Sequence, residues 1–540
     1  MKTKYIVFTG GVLSGLGKGV TAATVGFFFS DQYKVVPIKL DGYLNSDPGT
    51  MNPIEHGEVF VLDDGFEVDM DFGHYERFLD INAVKDQSIT MGKIFREIQK
   101  RERTGDYLGK TVQLIPHVTD LIQEEIQNVS NKTKSQLTLI EVGGTVGDIE
   151  NELFIEALRQ LQKKVGEENM IFVHITYVPI PFGVSEQKTK PTQQSLSLLQ
   201  KKGIWPNFIV ARCPEFLTES SKRKISLFGN IPQTKIYTAP DIDCIYKLPE
   251  VFSAQQFIDS ISKELKLKKG STEKLKTWNK ILTKKSDKTV NVLIAGKYTD
   301  LEDSYASIVE SLKHCGFNLN AKINITFVDT EKDFDMEALK TTDAIIVPGG
   351  FGKRGIQGKI NTIKYARENK IPYLGICYGL QLAVIEYARN KCGINDANSL
   401  EIDTQSKNHV VSLLDEQKNV VMKGGTMRLG SYKAYLTDGI IKSVYKKLGV
   451  GKENKNVLEI HERHRHRFEV NPKYTDILKE NGLKITGTSE TGLVEFIELN
   501  KKDHPYFTAT QAHPELKSRL EQPAPLFYGL ISSALKSKYL

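Results

Sequence analysis

The 540-residue chain is poor in cysteine: five residues, an odd number, at spacings that suggest no pairing. This argues against a disulfide framework and for a reducing compartment. Long apolar runs are missing as well. The longest candidate, around Val20 to Phe29, is interrupted by Thr and Gly and falls short of the ~18 apolar residues a membrane span requires. Lys2-Thr3-Lys4 leads into Tyr5-Ile6-Val7-Phe8, a strand-like run rather than a signal peptide. The expectation is a cytoplasmic protein without membrane attachment. There is no internal repeat, and no low-complexity tract apart from one Lys-rich stretch. Nor is there a large charge imbalance: the net charge of +7 does not by itself choose among nucleic acid, membrane surface and small polyanions. What remains is ordinary globular composition, 40% hydrophobic and 26% charged, at a length that suggests two to four domains.

Strand-like runs that end in Gly-rich turns and lead into helical patterns recur along the chain, as expected for α/β architecture with largely parallel sheets. They stand at 5–8, 35–38, 137–140, 171–175 and 208–211, and restart at 290–295, 344–347 and 373–376. Between Lys263 and Lys288, ten of 26 residues are lysine. Aromatic interleaving there is limited to Trp278, which disfavours a nucleic-acid site and leaves a solvated helix end and hinge. The division expected is 1–268, a linker at 269–289, and 290–540.

Residues 9–19 read Thr-Gly-Gly-Val-Leu-Ser-Gly-Leu-Gly-Lys-Gly, after a strand and before a helix-compatible stretch from Val20. Glycines let backbone approach phosphate oxygens, and a helix N-terminus offers free N–H groups to an anion. Lys18 would reach the outer phosphates. Structural turns use the same residues, but the strand, lysine and helix together favour a nucleotide site. Gly19 stands where a strict phosphate loop has a Ser or Thr metal ligand, so Mg²⁺ needs carboxylates from elsewhere. In extended chain Asp69 and Asp71 point the same way, and Glu141 ends a strand; Asp71 and Glu141 are the expected metal pair. Lys188-Thr189-Lys190-Pro191-Thr192-Gln193 suits a second polyanion, although a plain surface loop has the same composition.

In the second half, Tyr373-Leu374-Gly375-Ile376-Cys377-Tyr378-Gly379-Leu380-Gln381 reads as strand, sharp turn and helix, placing Cys377 at a nucleophile elbow. A lone buried cysteine is usually inert, but flanking glycines and a helix N-terminus favour a nucleophile. His513 and Glu515 supply a base and its orienting carboxylate. The turn Pro348-Gly349-Gly350-Phe351-Gly352 offers N–H groups to an oxyanion. Arg463, Arg465 and Arg467 interleave His464 and His466; the arginines would repel a metal ion, so the run reads as an anion or carboxylate clamp.

Taken in order, these motifs resemble the glutamine-hydrolysing CTP synthase family over nearly the whole chain. Further specific pieces are Asp47-Pro48-Gly49-Thr50-Met51, His56-Gly57-Glu58-Val59-Phe60 and Gly73-His74-Tyr75-Glu76-Arg77-Phe78. The resemblance implies a phosphate-loop, dethiobiotin-synthetase-like synthetase domain followed by a class I glutamine amidotransferase domain. ATP would phosphorylate the 4-oxygen of UTP, and ammonia released from glutamine through a Cys377 thioester would displace the phosphate to give CTP. By the same resemblance Ser14, Gly15, Leu16, Gly17, Lys18, Gly19, Asp71, Pro240, Asp241 and Ile242 line the ATP site, with Lys18 and Lys39 assisting phosphoryl transfer and Asp71 and Glu141 holding Mg²⁺. Ser14, Asp148, Ile149, Glu150, Lys188, Thr189, Lys190, Pro191, Thr192, Gln193 and Lys224 contact UTP, or CTP as feedback inhibitor. Gly350, Tyr378, Gly379, Leu380, Gln381, Glu401 and Arg467 hold glutamine. His56 lies near the ammonia passage, and GTP activation acts around Lys297, Arg354 and Gly355. A homotetramer, with filaments as a further assembly, is the implied quaternary state.

The chain departs from the family pattern at Gly42, Tyr378, Leu380 and Pro240. Two rival readings are a cobyrinic-acid-type glutamine-dependent amidase and a silent filament-forming homologue. The 188–193 loop and the intact Cys377, His513 and Glu515 count against both.

Overall fold

A computed structural model describes residues 2–52, 56–284, 286–297, 302–331, 336–413 and 427–540. They form two compact units. One comprises residues up to Asp47 and His74–Leu282; the other joins Pro48–Gly73 to Thr283–Leu540. Among the described residues, no helix is long and apolar enough to cross a membrane.

The first unit is built on a sheet whose strands lie, in spatial order, at Ser88–Thr90, Val35–Asp41, Leu137–Val142, Lys4–Gly10, Met170–Tyr177, Phe208–Cys213 and Ile236–Pro240. Every pairing is parallel. Ile6, Val7, Phe8, Ile38, Leu40 and Ile140 are all buried, as expected of strands covered by helices on both faces. The first strand lies in the middle, and the chain leaves it in both directions. The loops at the carboxyl ends beside it therefore open a crevice at a switch point, where such sheets place ligands.

The segment expected as a linker contains a helix, Glu273–Leu282, that belongs to this unit. Lys276 and Lys280 are exposed and Lys274 donates to the Phe78 carbonyl at 2.8 Å, but Trp278 is only 1% exposed and packs on Phe27, Phe78 and Tyr246 at ring distances of 4.5, 5.1 and 5.3 Å. One aromatic on the inner face outweighs a basic outer face, which water solvates at little cost. Lys285 lies outside the described residues.

The second unit carries a mixed sheet. Its parallel part runs Lys322–Asp329, Thr289–Gly296, Ala344–Val347, Tyr373–Ile376 and Phe507–Thr510; Val494–Glu498, Lys484–Thr488, Arg428–Leu436, Val457–His466 and Lys452–Asn454 continue it antiparallel. The hairpin Phe60–Val61/Glu67–Val68 belongs here through charge pairing. Arg463 Nε is 2.6 Å from Asp63 Oδ1, and Arg465 Nε is 2.6 Å from Glu67 Oε1. Arg463 and Arg465 thus clamp the protein's own carboxylates.

Candidate active sites

In the first unit, the chain leaves strand Lys4–Gly10 and turns through Ser14, Gly15, Leu16 and Gly17 into helix Lys18–Phe29, which includes Gly19. Gly17 is the N-cap with φ 86°, a conformation glycine adopts without steric cost, and no side chain caps the helix. The N-terminal N–H groups therefore face the loop, where an anion is favoured. Lys18 is buried, and its Nζ donates to the Gly144 carbonyl at 2.8 Å, bringing the loop to the 143–150 turn.

Lys39 lies near the end of strand Val35–Asp41, on the far side of Leu137–Val142 from Lys4–Gly10, with Nζ 2.9 Å from Glu141 Oε1 and 4.0 Å from Asp41 Oδ1. The other Glu141 oxygen accepts from the Tyr75 hydroxyl. The hard carboxylate oxygens of Glu141 suit Mg²⁺. Asp71 does not share an extended face with Asp69 as expected. Strand Glu67–Val68 has ended, and Asp71 opens helix Asp71–Leu79, its N–H donating to Asp69 Oδ1 at 3.2 Å. Among the described residues, no three His, Cys, Asp or Glu side chains converge as a metal cage. Mg²⁺ commonly needs only one or two protein carboxylates when phosphates and water complete its shell.

Glu186 gathers two cations from separate stretches: Lys188 Nζ at 2.6 Å and Lys224 Nζ at 3.3 Å. Lys190 and Pro191 open helix Lys190–Lys201. Gln193 donates to Thr189 Oγ1 at 3.0 Å, whereas the Thr192 hydroxyl is buried and donates to the Tyr177 carbonyl at 2.9 Å, engaged inside the fold. Asp148 accepts from the Thr145 N–H at 3.0 Å, and the neighbouring Ile149 and Glu150 are exposed. Pro240 ends its strand with its carbonyl on Arg212; Arg212 also pairs with Asp241 at 2.7 Å, and Ile242 is half-buried beside them.

In the second unit, strand Tyr373–Ile376 runs into helix Tyr378–Asn390 through Cys377, at φ 51° and ψ −100°. That left-handed φ is strained for a residue with a Cβ, as at a nucleophile elbow. The neighbouring strand fixes the turn, because the Cys377 N–H donates to the Thr510 carbonyl at 2.7 Å. Past Thr510 the same strand delivers His513, whose own N–H donates to the Arg463 carbonyl at 2.7 Å. Cys377 Sγ rests 3.7 Å from the Arg465 carbonyl and from Gln511 Nε2.

His513 Nδ1 is 2.7 Å from Glu515 Oε1, and its Nε2 edge faces Cys377. Burial alone would lower the imidazole, but Glu515 and Cys377 raise it to about 10. The turn after strand Ala344–Val347 closes this arrangement. A Cβ on Gly349 would sit 2.9 Å from His513 Cε1 and 3.7 Å from Cys377 Cβ, so glycine keeps the space between them clear.

A cavity of about 630 Å³ brings together Gly350, Cys377, Glu401, Arg467, His513 and Glu515. Burial raises the Glu401 carboxyl, opposed by the Gly352 N–H and by Lys297 and Arg467. Glu401 and Arg467 are thus opposite charges on one wall, matched to an amino acid's ammonium and carboxylate. Tyr378, Gly379, Leu380 and Gln381 form the buried first turn of the helix behind Cys377. Gln381 donates to the Phe468 carbonyl at 2.9 Å. His56 Nε2 lies 3.8 Å from Asp69.

Individual roles for Tyr75, Gly349 and Gln511 were not foreseen. Gly349 carried a signal, being paired with Gly350 after a strand. Tyr75 sits in the 73–78 motif and Gln511 two residues before His513, but nothing in their spacing names what they touch.

Two family profiles match the chain: "CTP synthase N-terminus" over residues 4–267 and "Glutamine amidotransferase class-I" over residues 300–533. The chain is 50% identical to a CTP synthase of Borreliella afzelii, covering 98% of this chain and 99% of that one. It is 46% identical to a CTP synthase of Archaeoglobus fulgidus, covering 99% and 98%. Among solved structures, a Trypanosoma brucei CTPS glutaminase domain with bound acivicin is 35% identical over 46% of this chain and 96% of that one, with a TM-score of 0.41.

Proposed function

The chain belongs to the CTP synthase family, and from that premise we propose that its two constellations divide one synthesis between them. The enzyme converts UTP to CTP with ATP and glutamine: the UTP 4-oxygen is phosphorylated, and ammonia displaces the phosphate. The full-length relatives do not favour a cobyrinic-acid-type amidase or a silent homologue.

In the first unit, residues 14–19 hold ATP with 240–242, while Lys18 and Lys39 offset charge on the transferring phosphoryl group. This chemistry is mostly positioning and electrostatics. Glu141 of this unit, with Asp71 added by the family resemblance from the Pro48–Gly73 segment, would hold Mg²⁺, which supplies further charge neutralisation when bound. UTP's phosphates draw Lys188 and Lys224 away from Glu186, with Ser14, Asp148, Ile149, Glu150 and the rest of 188–193 completing that site. CTP occupies the same residues as feedback inhibitor.

In the second unit, Cys377 attacks the glutamine carboxamide. The Gly350 turn receives the oxyanion, and His513 gives its proton to the departing ammonia. Water then releases glutamate from the thioester. The strained Cys377 turn opposite the His513–Glu515 pair is the observation that carries this reading. GTP acts as activator around Lys297 and Arg354. The working protein is a cytoplasmic homotetramer that can also assemble into filaments.

The test supplies UTP, ATP, Mg²⁺ and glutamine and follows CTP absorbance. Formation of CTP is expected; none with either glutamine or ammonia would sink the proposal.

A further inference from the structure

The glycine turn that closes the Cys377 cavity leads into helix Ile356–Glu368, whose first turn carries Lys359. This side chain is 1% exposed, and among the described residues no atom accepts a hydrogen bond from its Nζ. A buried ammonium without a partner is strongly unfavourable, so its surroundings are informative. Nζ lies 5.5 Å from the ring centroid of Tyr378, the residue after the nucleophile, within cation–π range. It is also 3.8 Å from the position a Cβ on Gly350 would take.

The turn is braced elsewhere. Tyr378 donates its hydroxyl proton to the Gly352 carbonyl at 2.9 Å, the Gly352 N–H donates to Glu401 at 2.7 Å, and Lys297 donates to the Phe351 carbonyl. Lys359 makes no such bond and sits behind the cavity wall rather than in it. Burial depresses its ammonium to about 7, with Lys297 adding repulsion, while Cys377 and Glu331 attract it. Glu331 is already held by Arg354 at 3.2 Å. Of these charges, only the one at Cys377 changes during turnover.

We propose that Lys359 is a positioning residue of the glutaminase site, a buried cation behind the Gly350 turn that favours negative charge on Cys377 and then on the carboxamide oxygen. The inference rests on the assignment of Cys377 as nucleophile. As the Sγ–C bond forms, the carbonyl π pair moves onto oxygen. When the carbonyl re-forms, the C–N bond breaks and ammonia leaves with the His513 proton. Lys359 forms no covalent bond; it supplies the missing counter-charge for a transient anion, as electrostatic preorganisation requires.

Lys359→Met keeps side-chain length and removes the charge. Glutamine hydrolysis in the full-length protein should fall about 10- to 100-fold in kcat with KM within about threefold. Iodoacetamide alkylation of Cys377 at pH 7 should slow about tenfold. Because the folded ammonium is held below its ordinary 10.5, the parent bears its cost at and below pH 7. The variant's Tm should therefore match or exceed the parent's at pH 7, with any gain fading towards pH 10.5.

Hydrolysis within twofold of the parent, an unchanged alkylation rate, or a lower Tm overturns the proposal. If the methionine variant does not fold, Lys359→Gln is read by the same criteria. Cys377→Ala separates the two claims: if it retains glutamine hydrolysis, the nucleophile assignment fails, whereas if it loses hydrolysis and Lys359→Met does not, only the role of Lys359 fails.

Discussion

The residues of the first unit proposed to face nucleotides and the Cys377 cavity of the second are built on opposite principles. In the first, cations rest on the protein's own acceptors: Lys18 on the Gly144 carbonyl, Lys39 on Glu141, and Lys188 and Lys224 on Glu186. These partners can be exchanged for phosphates, so substrates complete the site. In the second, the proposed nucleophile Cys377 and base His513 are fixed by backbone bonds to neighbouring strands, and Glu515 stands 2.7 Å from the imidazole. Phosphoryl transfer needs charge brought to a phosphate, whereas amide cleavage needs geometry in place before the substrate arrives.

The sharpest way to break this comparison is Cys377→Ala. Glutamine-dependent CTP formation should fall by about 10⁴-fold or more while synthesis from added ammonia persists; loss of both would show that the two units do not divide the work. Lys18→Met should lower kcat about 100- to 1,000-fold with either nitrogen source. An effect confined to glutamine would misplace Lys18.

Glu515→Gln should cost glutamine hydrolysis about 10- to 100-fold by releasing His513 from its orienting carboxylate. Its sign with pH also follows. The folded imidazole is raised from 6.5 to about 10, so its pairing contributes fully to stability below pH 6.5, and that contribution fades as pH rises through about 10. The Tm difference between parent and Glu515→Gln should shrink over the same window; a constant difference would refute it. The smallest effect belongs to Glu186→Gln. Exposed ion pairs are weak, so freeing Lys188 and Lys224 should lower the UTP KM no more than about fivefold, and a raised KM would mean that Glu186 positions them instead.

The parts of these sites that can be read from sequence are those written in consecutive residues. The 9–19 loop and the Cys377 elbow each announce themselves as strand, turn and helix, because the chemistry depends on local backbone. Their partners are harder to place. Asp63 and Glu67 lie 400 and 398 residues from the arginines that hold them, so no window along the chain could join Pro48–Gly73 to the C-terminal half. Alternating acidic residues suggested that Asp69 and Asp71 share an extended face, yet the chain turns there and begins a helix. Lysine content hid the packed face of Glu273–Leu282, since composition does not record which side of a helix meets the core. Lys359 poses the same problem in reverse: a helical lysine reads as solvated until the helix is oriented against the turn it covers.

The arginine clamp has a consequence for how this protein can be divided or exchanged. The strand whose carbonyls touch Cys377 and His513 also grips, through Arg463 and Arg465, a hairpin made from the first seventy residues. A cut at residue 283 would separate Arg463, with no exposed surface, from the carboxylate it holds here. A chimaera that swaps the C-terminal half for a relative's should therefore carry residues 48–73 with it: the transferable module is discontinuous in the gene, and a junction chosen by chain order alone divides it.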